Sequence, residues 1–167
     1  SYGLQPYKVI KVKNAELRAK LREVSWNQSQ ITDSSVLYVL CARTDINQDL
    51  VKSYIENIVK VRGVVAESLS GYEQMMNGAI QSMSDDQKIN WAKKQAYLMA
   101  GFLLDSAAQN GLDACPMEGF DSNAYGEILG LKERDLVATL VCPVGKRAET
   151  DETANYKKVR AGVENII

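Results

Sequence analysis

SDDQKINWAKKQAYLMAGFLLDSAAQNG (84–111) carries the clearest helix start and stop in the chain. Ser84 followed three residues later by Gln87 is a capping-box pattern, which satisfies two backbone N–H groups that a helix start leaves orphaned. Asp85 and Asp86 suit the positive end of the helix dipole. Gly111 offers a left-handed stop, so the helix is expected to run to about Asn110. Its second half, AYLMAGFLLDSAA, is apolar almost all round. A helix of that kind is buried in the domain centre or at a subunit interface.

The flanking segments supply a sheet and more helices. YKVIKV (7–12) alternates and is β-branched, as a half-buried strand is. Asn14 can cap a helix through about Val24 that keeps Leu17, Leu21 and Val24 on one face. SVLYVLCA (35–42) has strand length and is apolar enough to be covered on both faces. Two helical stretches follow, roughly 47–61 and 64–82, divided by Gly63. Asp121 or Ser122 caps a short helix to about Leu129 that Gly130 ends, and LVATLVCP (136–143) is the last strong strand. After Gly145 the composition turns polar and aperiodic, which suits either a frayed tail or an extended arm lying on a partner subunit.

At 167 residues the chain fits one domain, residues 1–167. Lys plus Arg is 20 against Asp plus Glu at 21, so whole-chain charge gives no case for nucleic acid or an anionic membrane. The longest apolar run, Ala96 to Leu104, is far too short to span a bilayer. Cys41, Cys115 and Cys142 are an odd, scattered set, which points to a reducing, cytoplasmic setting rather than a disulfide framework. There is no histidine, which removes Ser-His and Cys-His nucleophile pairs and imidazole metal sites. No Rossmann or P-loop motif is present either. An enzyme of this composition would delegate its chemistry to a cofactor.

Four polar segments are weak signals one at a time. SYGLQPY (1–7) is a Gly/Pro turn that alone reads as a loop. WNQSQI (26–31) places Asn27 and Gln30 on one face if helical, or merely in solvent. CPMEGFD (115–121) joins a strand to a short helix through Pro116 and Gly119, where glycine allows close backbone approach. In KKVR (157–160), Lys158 and Arg160 form a Lys-x-Arg pair fit for a phosphate or for keeping a tail soluble.

Taken in order, these segments resemble the flavin-dependent nitroreductase family over nearly the whole chain. The resemblance runs from YGLQPY through WNQSQITDSS, WAKKQAYLMAGFLLDSAAQNGLDACPMEGFD, LGLKERD and the strand ending PVG to the terminal Lys-x-Arg. It implies an α+β fold, a mixed sheet flanked by helices. It also implies a domain-swapped homodimer in which the C-terminal arm, residues 146–167, joins the other subunit's sheet. FMN is the implied cofactor, lying at the dimer interface. NAD(P)H would reduce it, and a small aromatic acceptor, a nitroaromatic or quinone, would reoxidise it in a ping-pong cycle that needs no catalytic side chain.

By position, Ser1, Tyr2, Gly3 and Gln5 are implied to contact the flavin and its ribityl chain. Asn27 and Gln30 are implied at the polar edge of the ring. Pro116 and Met117 would line one ring face, the Glu118–Gly119 backbone would address the reactive N5, and Lys158 and Arg160 would bind the phosphate. Tyr72 would flank the substrate. Two departures stand out. The family's N-terminal Arg-x-Ser-x-Arg-like motif does not occur here, so the chain reads as truncated at its start. Gln30 also stands where many members carry a lysine. The alternatives are another flavin enzyme of the superfamily, of dehalogenase or flavin-breakdown type, and a flavin-free, non-catalytic dimer.

Overall fold

Four strands lie in the order β1-β2-β4-β3 and form one sheet at the centre of the chain. The structure is a computed structural model that describes residues 2–167. The strands are β1 (Tyr7–Val12), β2 (Val36–Arg43), β3 (Asp113–Ala114) and β4 (Leu136–Gly145). Every pairing among the described residues is antiparallel: β1 with β2, β2 with β4, and β3 with β4. The expected mixed sheet is therefore corrected to an antiparallel one. A parallel strand would have to be a further strand, and none of the described residues supplies it.

Helices cover both faces. On one face lie α1 (Ala15–Glu23), the single turn α2 (Gln30–Asp33) and α6 (Ser122–Leu129). Leu21, Ile31 and Tyr125 pack there against Leu37, Val39, Cys41, Ala138 and Val141. On the other face α5 (Asp85–Gln109) sets Ala100 and Ala107 against Leu40, Leu140, Cys142 and Val144. Register shifts between Leu40 and Cys41, and the bulge exchanges the faces of β4. Its extra residue, Thr139, accepts the Ala42 N–H through Oγ1 at 3.2 Å. A third cluster joins α3 (Gln48–Arg62) and α4 (Ser70–Gln81) to Leu4, Ala42 and Ile46 beside the sheet.

The local signals mostly act as read. Ser84 and Gln87 form the reciprocal capping box, with Gln87 accepting the Ser84 N–H at 2.8 Å. Asn14, Asn47 and Asp121 cap α1, α3 and α6 through their side chains. Gly63 and Gly130 close α3 and α6 in the left-handed conformation. The plain helix expected over 64–82 is shorter: a 3-10 turn over Ala66–Leu69 precedes α4. Val65 stays extended, and its carbonyl accepts both the Ser68 N–H at 3.2 Å, a 3-10 bond, and the Ser68 hydroxyl at 2.7 Å.

Beyond β4 the chain leaves the body of the fold. Arg147 ties its root to Asp113 at 2.8 Å and to Asp151 at 3.3 Å. Two short 3-10 turns follow, Glu152–Asn155 and Val163–Asn165, and Tyr156, Val159, Val163, Ile166 and Ile167 are all exposed. Among the described residues no helix is long and apolar enough to cross a membrane.

Candidate functional site

The 115–121 loop is pinned through four of its six backbone donors. Cys115 N–H donates to the Pro143 carbonyl at 3.1 Å, and Met117 exchanges both of its backbone bonds with Val141. Phe120 N–H folds back to the Glu118 carbonyl at 2.9 Å, and Asp121 N–H reaches the Val24 carbonyl at 2.9 Å. The amides between them, Glu118 and Gly119, have no acceptor among the described residues. A rigid loop that leaves two neighbouring N–H groups unspent is a preorganised donor pair for an acceptor on a bound molecule.

Residues 25–30 form the wall beside this loop. Trp26 and Asn27 are both left-handed, at φ 53° and 56°, and α2 begins only at Gln30. Asn27 and Gln30 thus do not share a helix face, because Asn27 is left-handed and lies outside the helix that Gln30 begins. Asn27 Oδ1 accepts from Arg22 Nε at 2.9 Å, and Gln30 Nε2 donates to Gln28 Oε1 at 3.4 Å. Gln28 Nε2 in turn donates to the Gly119 carbonyl at 2.9 Å and to the Ser25 carbonyl at 3.0 Å.

Two loop residues differ in detail from expectation. Met117, expected to line a ring face, buries its side chain in the core at 5% exposure. Gly119 is crowded by the protein itself: a Cβ there would stand 2.3 Å from Cζ3 and 2.6 Å from Cε3 of Trp26. Pro116 and Glu118 are exposed. Tyr97 of α5 donates its hydroxyl to the Glu118 carboxylate. Burial first, and then that bond, push the Tyr97 hydroxyl up to about 12, so it remains a neutral donor at working pH.

The N-terminal turn lies along another flank of α5. Tyr2, Gly3 and Gln5 all have positive φ, while Leu4 and Pro6 are buried and anchor the turn. Gly3 is required by its φ of 83° and by Tyr54, whose hydroxyl would lie 2.5 Å from a Cβ. Tyr72 donates its hydroxyl to the Tyr2 carbonyl at 2.8 Å, bracing the turn from α4. Gly3, Gln5 and Tyr7 share an open depression with Gln95, Leu98, Met99 and Phe102. Ser1 lies outside the described residues.

The sequence-identified residues therefore fall into three groups. Asn27 and Gln30 stand on either side of Gln28, the residue that bonds the 116–119 loop; Tyr2, Gly3, Gln5 and Tyr72 form the turn; Lys158 and Arg160 stand on the exposed arm. No hydrogen bond or ion pair among the described residues links one group to another, and Arg160 donates only to the adjacent Val159 carbonyl. Trp26, Gln28, Arg22 and Tyr97 were missed. Gln28 lies within WNQSQ, but nothing in one sequence says which amide of that segment reaches the loop. Tyr97 lies within an apolar run that gives its hydroxyl no separate signal. Among the described residues no cluster of His, Cys, Asp and Glu is placed to hold a metal ion.

Comparison with known proteins identifies the family and the fold. The family model described as Nitroreductase family matches residues 1–146. YfkO of Bacillus subtilis, named as an NAD(P)H nitroreductase, is 33% identical over 178 residues, covering 100% of this chain and 79% of that protein. Two solved structures superpose with TM-scores of 0.87. One, from Staphylococcus epidermidis, is titled as an NAD(P)H:FMN oxidoreductase; it is 21% identical and covers 100% of this chain and 76% of that one. The other, from Exiguobacterium sibiricum, is titled as a nitroreductase in complex with FMN; it is 19% identical and covers 100% of this chain and 78% of that one.

Proposed function

Because the chain belongs to the nitroreductase family of oxidoreductases, we propose that it is an FMN-dependent NAD(P)H oxidoreductase whose flavin is addressed by the Glu118 and Gly119 amides. The observation that carries the reading is that amide pair, unspent in a loop whose other donors are engaged. FMN is the family's cofactor, and a relative of the same fold holds it. When bound, it supplies hydride uptake from NAD(P)H and electron delivery to an acceptor, for which nitroaromatics and quinones are proposed.

The chain's own residues hold and orient. The 116–119 loop offers backbone donors, Asn27 and Gln30 offer side-chain amides close by, and the 2–5 turn supplies a strained, well-braced edge. Lys158 and Arg160 make no ion pair among the described residues, and both are exposed, so they are available to a phosphate. Their separation from the loop fits a site assembled from two copies, with the 146–167 arm exchanged between them. The outward face of α5 supports a homodimer: Tyr97, Leu98 and Phe102 are 42%, 61% and 74% exposed. No side chain here has to exchange a proton with the substrate, in keeping with the absence of histidine.

The test is an absorption spectrum and a titration. The purified protein is expected to be yellow or to take up FMN stoichiometrically, and then to oxidise NAD(P)H with a quinone or nitroaromatic present. Protein that binds no FMN at micromolar concentration, or binds it without NAD(P)H oxidation, would sink the proposal.

A further inference from the structure

We infer that Gln28 and Tyr97 are positioning residues, which hold the Glu118–Gly119 amides in the attitude that discriminates oxidised from reduced flavin. The inference rests on the FMN reading above and adds to it how the donor pair is set.

The two side chains grip consecutive residues of the loop from different elements. Gln28, from the α1–α2 connection, donates to the Gly119 carbonyl at 2.9 Å; Tyr97, from the middle of α5, donates to the Glu118 carboxylate. Neither grip is free to drift. Gln28 is also tied to the Ser25 carbonyl at 3.0 Å. Ser25 is fully buried, with its hydroxyl bonded to the Leu21 carbonyl at 2.7 Å and to the Tyr125 hydroxyl at 2.8 Å. Tyr97 is fixed by a helix whose neighbouring Ala96 and Ala100 are buried. The peptide plane between Gly119 and Phe120 is thus held through its carbonyl by Gln28 and through its N–H by Glu118 O, which also orients the preceding plane. The Gly119 N–H shares its plane with the Glu118 carbonyl, which Phe120 holds, and the Glu118 N–H shares its plane with the Met117 carbonyl, which Val141 holds at 3.0 Å.

Fixed amide donors favour one redox state of the ring. The oxidised isoalloxazine presents its central nitrogen as an acceptor, whereas reduction turns that nitrogen into an N–H donor. Donors clamped at that place stabilise the oxidised form, and donors allowed to swing away stabilise it less. The phosphate plays no part, so FMN and riboflavin should respond alike.

The experiment compares wild type, Tyr97→Phe, Gln28→Leu, Glu118→Ala and the Tyr97→Phe/Glu118→Ala pair. Dissociation constants for oxidised and dithionite-reduced FMN, and for oxidised riboflavin, are measured together with thermal melting. Tyr97→Phe and Gln28→Leu are each expected to weaken oxidised FMN and riboflavin about tenfold while reduced FMN changes little. That ratio raises the bound flavin's two-electron potential by about 30 mV. Tyr97→Phe and Glu118→Ala remove two ends of one bond, so the double variant should lose no more than either alone. An oxidised-to-reduced ratio unchanged in Tyr97→Phe and Gln28→Leu, with melting lowered or not, overturns the inference while leaving FMN binding intact. Additive losses in the double variant overturn the Tyr97 half. Wild-type protein that binds neither flavin overturns this inference together with the functional proposal.

Discussion

Replacing Gly119 with alanine separates two explanations of that glycine. Close approach to flavin is one; the indole of Trp26 is the other. A Cβ at 119 would lie 2.3 and 2.6 Å from two ring carbons and 3.1 Å from Gln28 Nε2, against the 3.5–4.0 Å at which carbon atoms attract. The ring must therefore retreat by more than about 1 Å. Trp26 is 76% exposed, so nothing walls it in, and the expense is that of an off-rotamer side chain, about 1 kcal/mol. A weakened Gln28–Gly119 bond adds about 0.5–1 kcal/mol. Gly119 is not in the left-handed region, so alanine returns about 0.5 kcal/mol by restricting the unfolded chain. The net is about 1 kcal/mol of destabilisation in the parent and close to zero in a Trp26→Ala background. Urea unfolding of the four proteins at one fixed concentration measures the coupling, expected near 1 kcal/mol. Equal destabilisation in both backgrounds would refute the steric account. FMN titration of the same four proteins decides the rest: an affinity loss that persists without Trp26 assigns the glycine to the flavin, and one that disappears assigns it to the indole.

Arg160→Ala should cost FMN far more affinity than riboflavin, and equal losses would move the phosphate site elsewhere. Phe102→Asp, at the most exposed aromatic of α5, should convert a dimer to monomer by sedimentation and lose FMN with it; a wild-type monomer at micromolar concentration refutes the dimer proposal. In native protein a maleimide should label exposed Cys115 alone, because burial pushes Cys41 up to about 12 and Cys142 up to about 11 and shields both; labelling of either before unfolding would contradict the core packing. Arg147 holds the Asp113 carboxyl below its ordinary range. A folded value below the unfolded one means that the tie is fully present above about pH 4 and is lost as pH falls through the folded value. The protection of amides over 146–151, relative to intrinsic exchange, should therefore fall only as pH drops below about 4, and that pH-dependent fall should be absent in Asp113→Asn.

Legibility in the sequence followed the range of each signal. The α5 start at Ser84 and the stops at Gly63 and Gly130 were readable because each involves atoms within three or four residues. β1 was readable from its alternation of apolar and polar residues, and β2 and β4 from apolar runs of strand length. What failed was longer-range. Sheet direction depends on which strands meet, so the mixed sheet could not be tested from pattern. The left-handed pair Trp26–Asn27 carries no glycine to mark it, and the expectation of one helical face for Asn27 and Gln30 broke there. Gln28 and Tyr97 act on residues 91 and 21 positions away, a distance over which periodicity says nothing.

The arrangement of α5 reverses the usual order of an amphipathic helix. Small residues face inward: Ala92, Ala96, Ala100 and Ala107 are buried, Ala100 and Ala107 against the sheet and Ala92 against α3 and α4, while the outward face carries Tyr97, Leu98 and Phe102. Alanines let the helix sit close to the strands, which explains the inner face. Large apolar groups turned to water contribute nothing to a monomer's stability, and the outer face makes sense only if it is covered. The flanks of the helix point the same way. Gln95, Leu98, Met99 and Phe102 border the N-terminal turn, whereas Tyr97, two residues from both Gln95 and Met99 and so on the far side of that stripe, reaches Glu118 of the 115–121 loop. A helix body about 10 Å across stands between turn and loop. A second copy related by a twofold axis, packed on the outer face, is the simplest way to place one copy's turn beside the other's loop. Closure of the site and burial of that face would then be a single event, which is why the Phe102→Asp variant should lose flavin and partner together.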